Sequence, residues 1–316
     1  MRLANLRRGI LAGVWLTAGL MVATPVCAQL APVALPCAGL EAGPVRTVSR
    51  VLDAETVALD DGSQLRLVGI LAPRAFDVGA EADTWPPELE AREELKGLIL
   101  GRTITVAFGG QRVDRYGRLL GHVVWSDGGQ TRWVQRQLLE RGMARAFTQN
   151  GNRACAQELL KAESGARAAG RGLWAQATYQ VRRAGDPLLI RRYRATFQVI
   201  EGPVVSVASV RGVIYLNFAA DWRRGFSASL RRRDRTLLGI YADDPSRLEG
   251  KSLRVRGWVR QRRSLGIDVS QAGDVEVIEA ASAEGLPARD RARADPAIPP
   301  IAAPNSKPPS LIETGR

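Results

Sequence analysis

Alternating hydrophobic and polar positions divide the first half of the chain into strands and helices. Apolar residues at strand-like spacing run through residues 43–71, and the turn at 60–62 separates two of these runs as in a hairpin. A pair of prolines opens a stretch of helical spacing at 86–101, which ends at a glycine. Two more strands are predicted at 103–108 and 119–125.

Two helices are predicted to complete this first block, at about 131–141 and 153–169, each followed by glycine. The order is strands, one helix, strands and two helices. Sequential antiparallel strands with helices set to one side predict a small closed barrel of the α+β class, mainly β.

A second block at 191–280 contains strand-like runs punctuated by turn residues. The runs are 196–200, 204–207, 213–218, 253–259 and 275–278. Five strands in this length predict a second small β-barrel domain. The tail at 281–316 is rich in proline and alanine, which predicts disorder.

The N-terminus has the pattern of a cleaved secretory signal peptide. Arginines precede a short apolar stretch, and a small-residue site follows, so residues 1–28 are predicted to be removed by cleavage after Ala28. The apolar run is too short for a permanent transmembrane anchor. A lipoprotein site at Cys27 is the alternative. An N-terminal arm at 29–43 then leads into the first block, and the protein is expected in the periplasm or secreted.

Export changes the interpretation of the cysteines. Only Cys37 and Cys155 remain after cleavage, and a single pair in an oxidising compartment predicts one disulfide. The alternative is two buried free thiols.

Composition excludes several classes of protein and weakly favours an anionic partner. The 316 residues are 45% apolar and 24% charged, as in a globular protein. A single histidine excludes metal sites that need several. The net charge is +13, but the basic residues are almost all arginine, a skew that codon composition can also produce. Residues 191–280 contain 17 basic and 10 acidic residues, a net charge of +7.

Four motifs of the first block occur in a fixed order. They are DAET at 53–56, LRLVGI at 65–70, DRYGR at 114–118 and a closing AR…GRGLW that ends at 174. In order and spacing they resemble the thermonuclease (staphylococcal-nuclease-like) family over about 44–180. The resemblance implies a five-stranded OB-type barrel with three helices.

The resemblance also implies a phosphodiesterase site, which this chain matches only in part. Enzymes of the family hold calcium with two carboxylates and a carbonyl, prepare water with a glutamate and grip phosphate with two arginines. At the matching positions, both phosphate-contacting arginines are retained as Arg66 and Arg118, and Glu55 occupies the first metal-ligand position. Leu71 replaces the second carboxylate, and Arg74 replaces the glutamate. These two substitutions predict a degraded metal and base site.

Several interpretations of this site remain open. Arg66, Arg74 and Arg118 are expected to bind phosphate or another anion, nucleic acid first, without cleaving it. The same arginines would be structural if Glu55, Asp53 and Asp114 neutralise them. Asp77 or Glu81 would rescue calcium binding and nuclease activity if the loop were rebuilt. A scaffold role in the cell envelope is a third possibility.

The second block offers a tentative nucleic-acid face. Arg254, Arg256 and Trp258 alternate along one predicted strand, and Tyr215 lies on another. Cations interleaved with aromatic rings suit single-stranded nucleic acid. The block also resembles an OB-like module that follows thermonuclease-like domains in some exported bacterial proteins. The alternative is that its aromatic residues form the barrel core.

Overall fold

A computed structural model describes residues 33–74, 77, 86–262, 264–271 and 273–278. The predicted signal peptide and the proline-rich tail lie outside these ranges, as does Glu81. None of the helices in the described ranges is long and apolar enough to cross a membrane.

The first block folds into a closed five-stranded barrel. The strands of the block are β1 (Glu41–Val51), β2 (Thr56–Leu59), β3 (Gln64–Leu67), β4 (Ile70–Leu71), β5 (Thr103–Phe108), β6 (Leu119–Asp127), β7 (Gln130–Trp133) and β8 (Arg145–Ala146), and the barrel consists of β1, β2, β3, β5 and β6. The sheet order is β3-β2-β1-β5-β6, and a parallel pairing of β3 with β6 closes the barrel. Strand β7 extends the sheet beside β6, and β4 pairs separately with β8. The predicted fold class is confirmed.

Three helices cover this barrel: α1 (Pro86–Ile99), α2 (Val134–Glu140) and α3 (Ala156–Ala168). Their apolar faces join the alternating inward residues of the strands in one core. The helix predicted from residue 131 begins only at Val134, because the preceding residues pair with β6 as β7. Cross-strand pairing therefore outweighs the helical spacing at this point.

The second block is an eight-stranded sheet with its own core. Its elements are β9 (Arg182–Arg183), α4 (Pro187–Arg192), β10 (Phe197–Pro203), β11 (Ser206–Val210), β12 (Val213–Asn217), β13 (Phe226–Arg231), β14 (Ser252–Gln261), β15 (Leu265–Asp268) and β16 (Val275–Ile278). The order is β11-β12-β13-β15-β14-β10-β9, with β16 beside β14. Only two residues separate β10 from β11, and β13 runs parallel to β15. With β10 and β11 taken as one bent strand, the order repeats that of the first barrel.

Three short 3-10 helices connect these elements. They lie at Gly172–Ala175, Arg232–Tyr241 and Pro245–Leu248. The first of them ends the first block at the GRGLW motif, where Leu173 and Trp174 are buried.

A buried ion-pair network joins the two blocks. Arg256 on β14 is 2% exposed, and its Nη1 donates to Oε2 of Glu163 on α3 at 2.9 Å. Its Nη2 donates to Glu276 on β16 at 2.5 Å. Burial opposes ionisation of Glu163, but the charges of Arg256 and Arg167 outweigh it and lower the pKa of that carboxyl.

Removing the carboxylate of Glu163 should destabilise the protein strongly. A Glu163→Gln variant leaves Arg256 charged and only partly paired inside the interface, so we expect a loss of about 3–5 kcal/mol in the free energy of unfolding. Urea unfolding measures the loss. Glu276→Gln is the matched control, since Glu276 is partly exposed and should cost less. Equal losses in the two variants would contradict this account.

A disulfide joins Cys37 to Cys155, with 5.6 Å between their Cα atoms and a sequence separation of 118. Cys155 is the N-cap residue of α3, so the bond ties the N-terminal arm to that helix. A long closed loop restricts the unfolded chain and thereby stabilises the folded one.

Loss of this bond should lower the free energy of unfolding by about 3–5 kcal/mol, mainly through the entropy of the unfolded chain. The test is urea unfolding of the wild type with and without dithiothreitol. The Cys37→Ser/Cys155→Ser variant should be equally unstable in both conditions. A wild type that is indifferent to the reductant would refute the prediction, provided that thiol titration shows complete reduction.

Candidate functional site

Glu55 is the centre of a compact charge cluster on the first barrel. It follows a turn in which Asp53 accepts a hydrogen bond from the Glu55 backbone N–H at 2.7 Å. Its side chain is 4% exposed, and Oε2 accepts hydrogen bonds from Arg66 at 2.6 Å and Arg74 at 2.8 Å. Oε1 accepts the backbone N–H of Ala72 at 2.6 Å. Both carboxylate oxygens are therefore engaged.

Strand pairing brings these residues together from three segments. Thr56 on β2 pairs with Arg66 on β3, which places the guanidinium of Arg66 beside the DAET turn. Arg74 arrives on the loop after β4, and its side chain is 36% exposed. A cleft of about 220 Å³ opens over the cluster. It is lined by Asp53, Ala54, Glu55, Arg66, Ala72, Pro73, Arg74 and Glu88.

Leu71 takes no part in the polar cluster. It is 5% exposed on β4, where it pairs with Arg145 on β8. The buried leucine side chain offers no oxygen to the cleft.

Arg118 faces the same side of the barrel as Arg66 but is engaged elsewhere. Arg66 pairs with Leu120 across the parallel strands, and Arg118 precedes Leu120 by two residues. Its guanidinium forms an ion pair with Asp114 at 2.7 Å and lies 5.4 Å from the centre of the Tyr116 ring. Burial opposes ionisation of Asp114, but hydrogen bonds from Arg118 and from the Tyr116 N–H lower the pKa of its carboxyl.

Asp77 does not contact Glu55 but is held by Tyr179 and by the backbone of Arg74. Its Oδ2 accepts hydrogen bonds from the Tyr179 hydroxyl at 2.6 Å and from the Arg74 backbone N–H at 3.1 Å. The buried Arg145 lies 3.8 Å from the same oxygen and donates to the Phe197 carbonyl at 2.7 Å. Asp77 thus fixes the backbone of the Arg74 loop.

The residues that the structure describes do not fit calcium. Calcium needs several oxygen ligands, with carboxylates preferred. No group of three or more His, Cys, Asp or Glu side chains in the described ranges is arranged to hold a metal ion. Glu55 already accepts two guanidinium groups and a backbone N–H, so neither of its oxygens is left for a metal ion. Asp53 and Glu88 also line the cleft, but they are not grouped with Glu55 as metal ligands.

Histidine does not supply a catalytic base either. His122, the single histidine of the sequence, is buried in β6, with its ring centre 5.5 Å from that of Trp133. Burial lowers the pKa of His122 to about 4, so its ring is neutral at physiological pH. His122 therefore packs in the barrel interior.

Comparison with known proteins assigns this barrel. A family model described as Staphylococcal nuclease homologue matches residues 64–176. An uncharacterized endonuclease from Escherichia coli O157:H7 is 34% identical over 134 residues, which cover 41% of this chain and 76% of the relative. The chain belongs to the staphylococcal nuclease family. An uncharacterized endonuclease from Escherichia coli matches with the same identity and coverage.

The staphylococcal nuclease match ends at residue 176, before the second sheet. The sequence placed four residues of that sheet on one nucleic-acid face, but the structure gives them different surroundings. They are Tyr215, Arg254, Arg256 and Trp258. Arg256 is committed to the buried network, and Arg254 pairs with Glu201 at 2.5 Å and Glu276 at 3.4 Å. Trp258 packs edge-on against Phe147 and Phe197. Tyr215 instead lines a groove with Trp222, Arg223 and Arg260. The alternation along one strand could not reveal these different surroundings, because the carboxylates that pair with Arg254 and Arg256 come from distant segments.

The Glu55 cluster should tolerate loss of Arg74 better than loss of Glu55. Arg74 is partly exposed, so Arg74→Gln should cost less than about 1 kcal/mol of unfolding free energy. Glu55→Ala removes the buried acceptor of the Ala72 N–H and should cost about 2 kcal/mol or more. Urea unfolding compares the two, and a larger loss for Arg74→Gln would show that this ion pair is chiefly structural.

Proposed function

We propose that the Glu55 cluster binds a phosphate group of nucleic acid without hydrolysing it. The observation that carries this proposal is the ion pair of Arg74 with Glu55, at 2.8 Å between Nη2 and Oε2. Arg74 lies at the position where the family resemblance implies a base. Its guanidinium pairs with Glu55, the carboxylate at the first metal-ligand position.

Binding is supported by the charges that remain in the cleft. Arg66 and Arg74 are both partly exposed and present guanidinium groups that can form paired hydrogen bonds to phosphate oxygens. Arg118 lies on the same face, and Asp114 can release it to a phosphate, since their ion pair is partly exposed to solvent. A nucleic-acid ligand is further supported by membership of a nuclease family and by relatives named as endonucleases.

Hydrolysis is disfavoured because the described residues lack a second metal ligand and a base at the expected positions. Cleaving a phosphodiester requires something to activate water and positive charge where negative charge develops. The described residues offer arginines for the second task, but Leu71 and Arg74 supply neither a metal ligand nor a base. The endonuclease names of the relatives favour the alternative, an active metal-dependent phosphodiesterase, and the experiment must test it directly.

The test measures cleavage and binding on the same substrates. Mature protein is incubated with single- and double-stranded DNA and RNA in calcium, magnesium, manganese or EDTA. We expect no cleavage above an Arg66→Ala/Arg118→Ala control in any metal. We also expect salt-sensitive binding in EDTA, which weakens in an Arg66→Gln/Arg74→Gln variant because phosphate contacts are lost.

A restored variant sharpens this result. Leu71→Asp/Arg74→Glu returns both carboxylates, and we expect it to gain calcium binding in isothermal titration where the wild type shows none. Leu71→Asn/Arg74→Gln is the neutral control. Metal-dependent cleavage by the wild type that Arg66→Ala/Arg118→Ala abolishes would refute the proposal and establish the nuclease. Absence of both cleavage and binding would refute it in favour of an envelope scaffold.

We also propose that the protein acts outside the cytoplasm. The Cys37–Cys155 disulfide supports this location, because such bonds persist in oxidising compartments. The predicted cleavage after Ala28 is checked by sequencing the N-terminus of protein recovered from the periplasm.

A further inference from the structure

The second sheet carries a groove of about 700 Å³. Its floor is formed by two rows of side chains that cross the strands. Ala208, Tyr215, Ser229 and Asp268 form one row, and Ser206, Asn217, Ser227 and Gly266 form the other. The alternate residues of the same strands point into the core. The serine, alanine and glycine positions of these rows leave room beside Tyr215 for a flat ligand to approach the sheet.

Aromatic rings stand along this groove. Tyr215 rises from β12, and Trp222 projects from the loop between β12 and β13 with 39% of its surface exposed. The guanidinium of Arg223 lies 4.5 Å from the centre of the Trp222 ring. An exposed tryptophan beside an arginine provides both a stacking surface and a cation.

Arginines dominate the charge of the groove. Arg211, Arg223, Arg260 and Arg262 line it, against the single carboxylate of Asp268. Arg260 pairs with Asp268 at 2.9 Å and Arg262 lies 3.6 Å from it, so neither guanidinium is fully neutralised. Both arginines are more than half exposed, and the groove therefore carries an excess of accessible positive charge.

The groove continues along the sheet toward Trp258. A neighbouring cavity of about 230 Å³ shares Arg260 and Asp268 with the groove and is lined by Trp258, itself 39% exposed, and by Gln271. Trp258 and Arg260 project to the same side of β14, because they are two residues apart. The aromatic and basic positions of the groove and the cavity thus form one strip, which the two hollows share at Arg260 and Asp268.

We propose that this strip binds single-stranded nucleic acid, with bases stacked on Tyr215 and Trp222 and phosphates paired with Arg223 and Arg260. It goes beyond the function proposed for the Glu55 cluster, because the two clefts lie in different sheets and share no residue.

The chemistry of the strip favours a single strand over other anions. An acidic peptide would use the arginines but would not need exposed rings above a flat floor. A duplex hides its bases, so the rings would contribute little to binding it, whereas an open strand presents a stackable face at every nucleotide.

Binding is measured by fluorescence anisotropy with a labelled 15-nucleotide oligothymidine and the mature full chain in EDTA. Replacing both rings, Tyr215→Leu/Trp222→Leu, should raise Kd at least 10-fold, since each stacked base contributes substantially to affinity. Tyr215→Phe/Trp222→Phe keeps the stacking surfaces and should retain most of the affinity. Circular dichroism verifies that each variant is folded.

The arginines are tested by the salt dependence of Kd. Arg223→Gln/Arg260→Gln should weaken binding and reduce the slope of log K against log salt by about 0.7 for each lost phosphate contact. Arg191→Gln/Arg192→Gln removes two exposed arginines from α4 and serves as the charge-matched control. Equal effects in these two variants would overturn the proposal, because they would show only general attraction to a basic surface.

The outcomes separate this proposal from that for the Glu55 cluster. Loss of binding in the groove variants with little change in Arg66→Gln/Arg74→Gln supports the groove. The reverse pattern overturns the groove and leaves the cluster as the binding site. The groove is also overturned by ring variants that bind like the wild type, by a preference for duplex, or by displacement of the oligonucleotide by polyglutamate at equal charge concentration.

Discussion

The contact on which the two-block architecture depends is the buried pair of Glu163 and Arg256. Two charges can lie at such an interface only when each is neutralised and hydrogen-bonded, and here Glu163 also accepts the backbone N–H of Ala146 at 2.6 Å. The Phe147, Phe197 and Trp258 rings pack beside this network and add apolar contact between the blocks. The second sheet therefore packs directly against the nuclease-family barrel through buried polar and apolar contacts.

The two blocks have the same strand order, but their clefts differ in shape and in charge. In the first, the cleft is narrow and its charges neutralise one another around Glu55. In the second, the floor is flat and its arginines outnumber the one carboxylate among them. The first barrel thus keeps Arg66 and Arg118 at the positions to which the family resemblance assigns phosphate contact, and the second sheet presents a separate surface rich in arginine.

The sequence predicted the first barrel well because its strands carry strong local alternation and its motifs are compact. It did not predict β13 or β15, since Phe226–Arg231 contains mainly small residues and Leu265–Asp268 is short and includes a glycine. Pairing of the arginines with Glu55 was one of the alternatives that the matching family positions left open. The engagement of Arg256 was not anticipated, because its partner Glu163 lies 93 residues away and no local period reports such a contact.

Helix α3 takes part in two different connections among the described residues. Cys155 caps α3 and carries the covalent bond to the arm, and Glu163 in the same helix carries the ionic bond to the second sheet. The position of α3 is thus restrained from two directions, by chemistry that depends on thiol oxidation and by electrostatics that does not. Reduction of the disulfide would therefore release α3 from the arm while leaving its ionic bond to the second sheet in place.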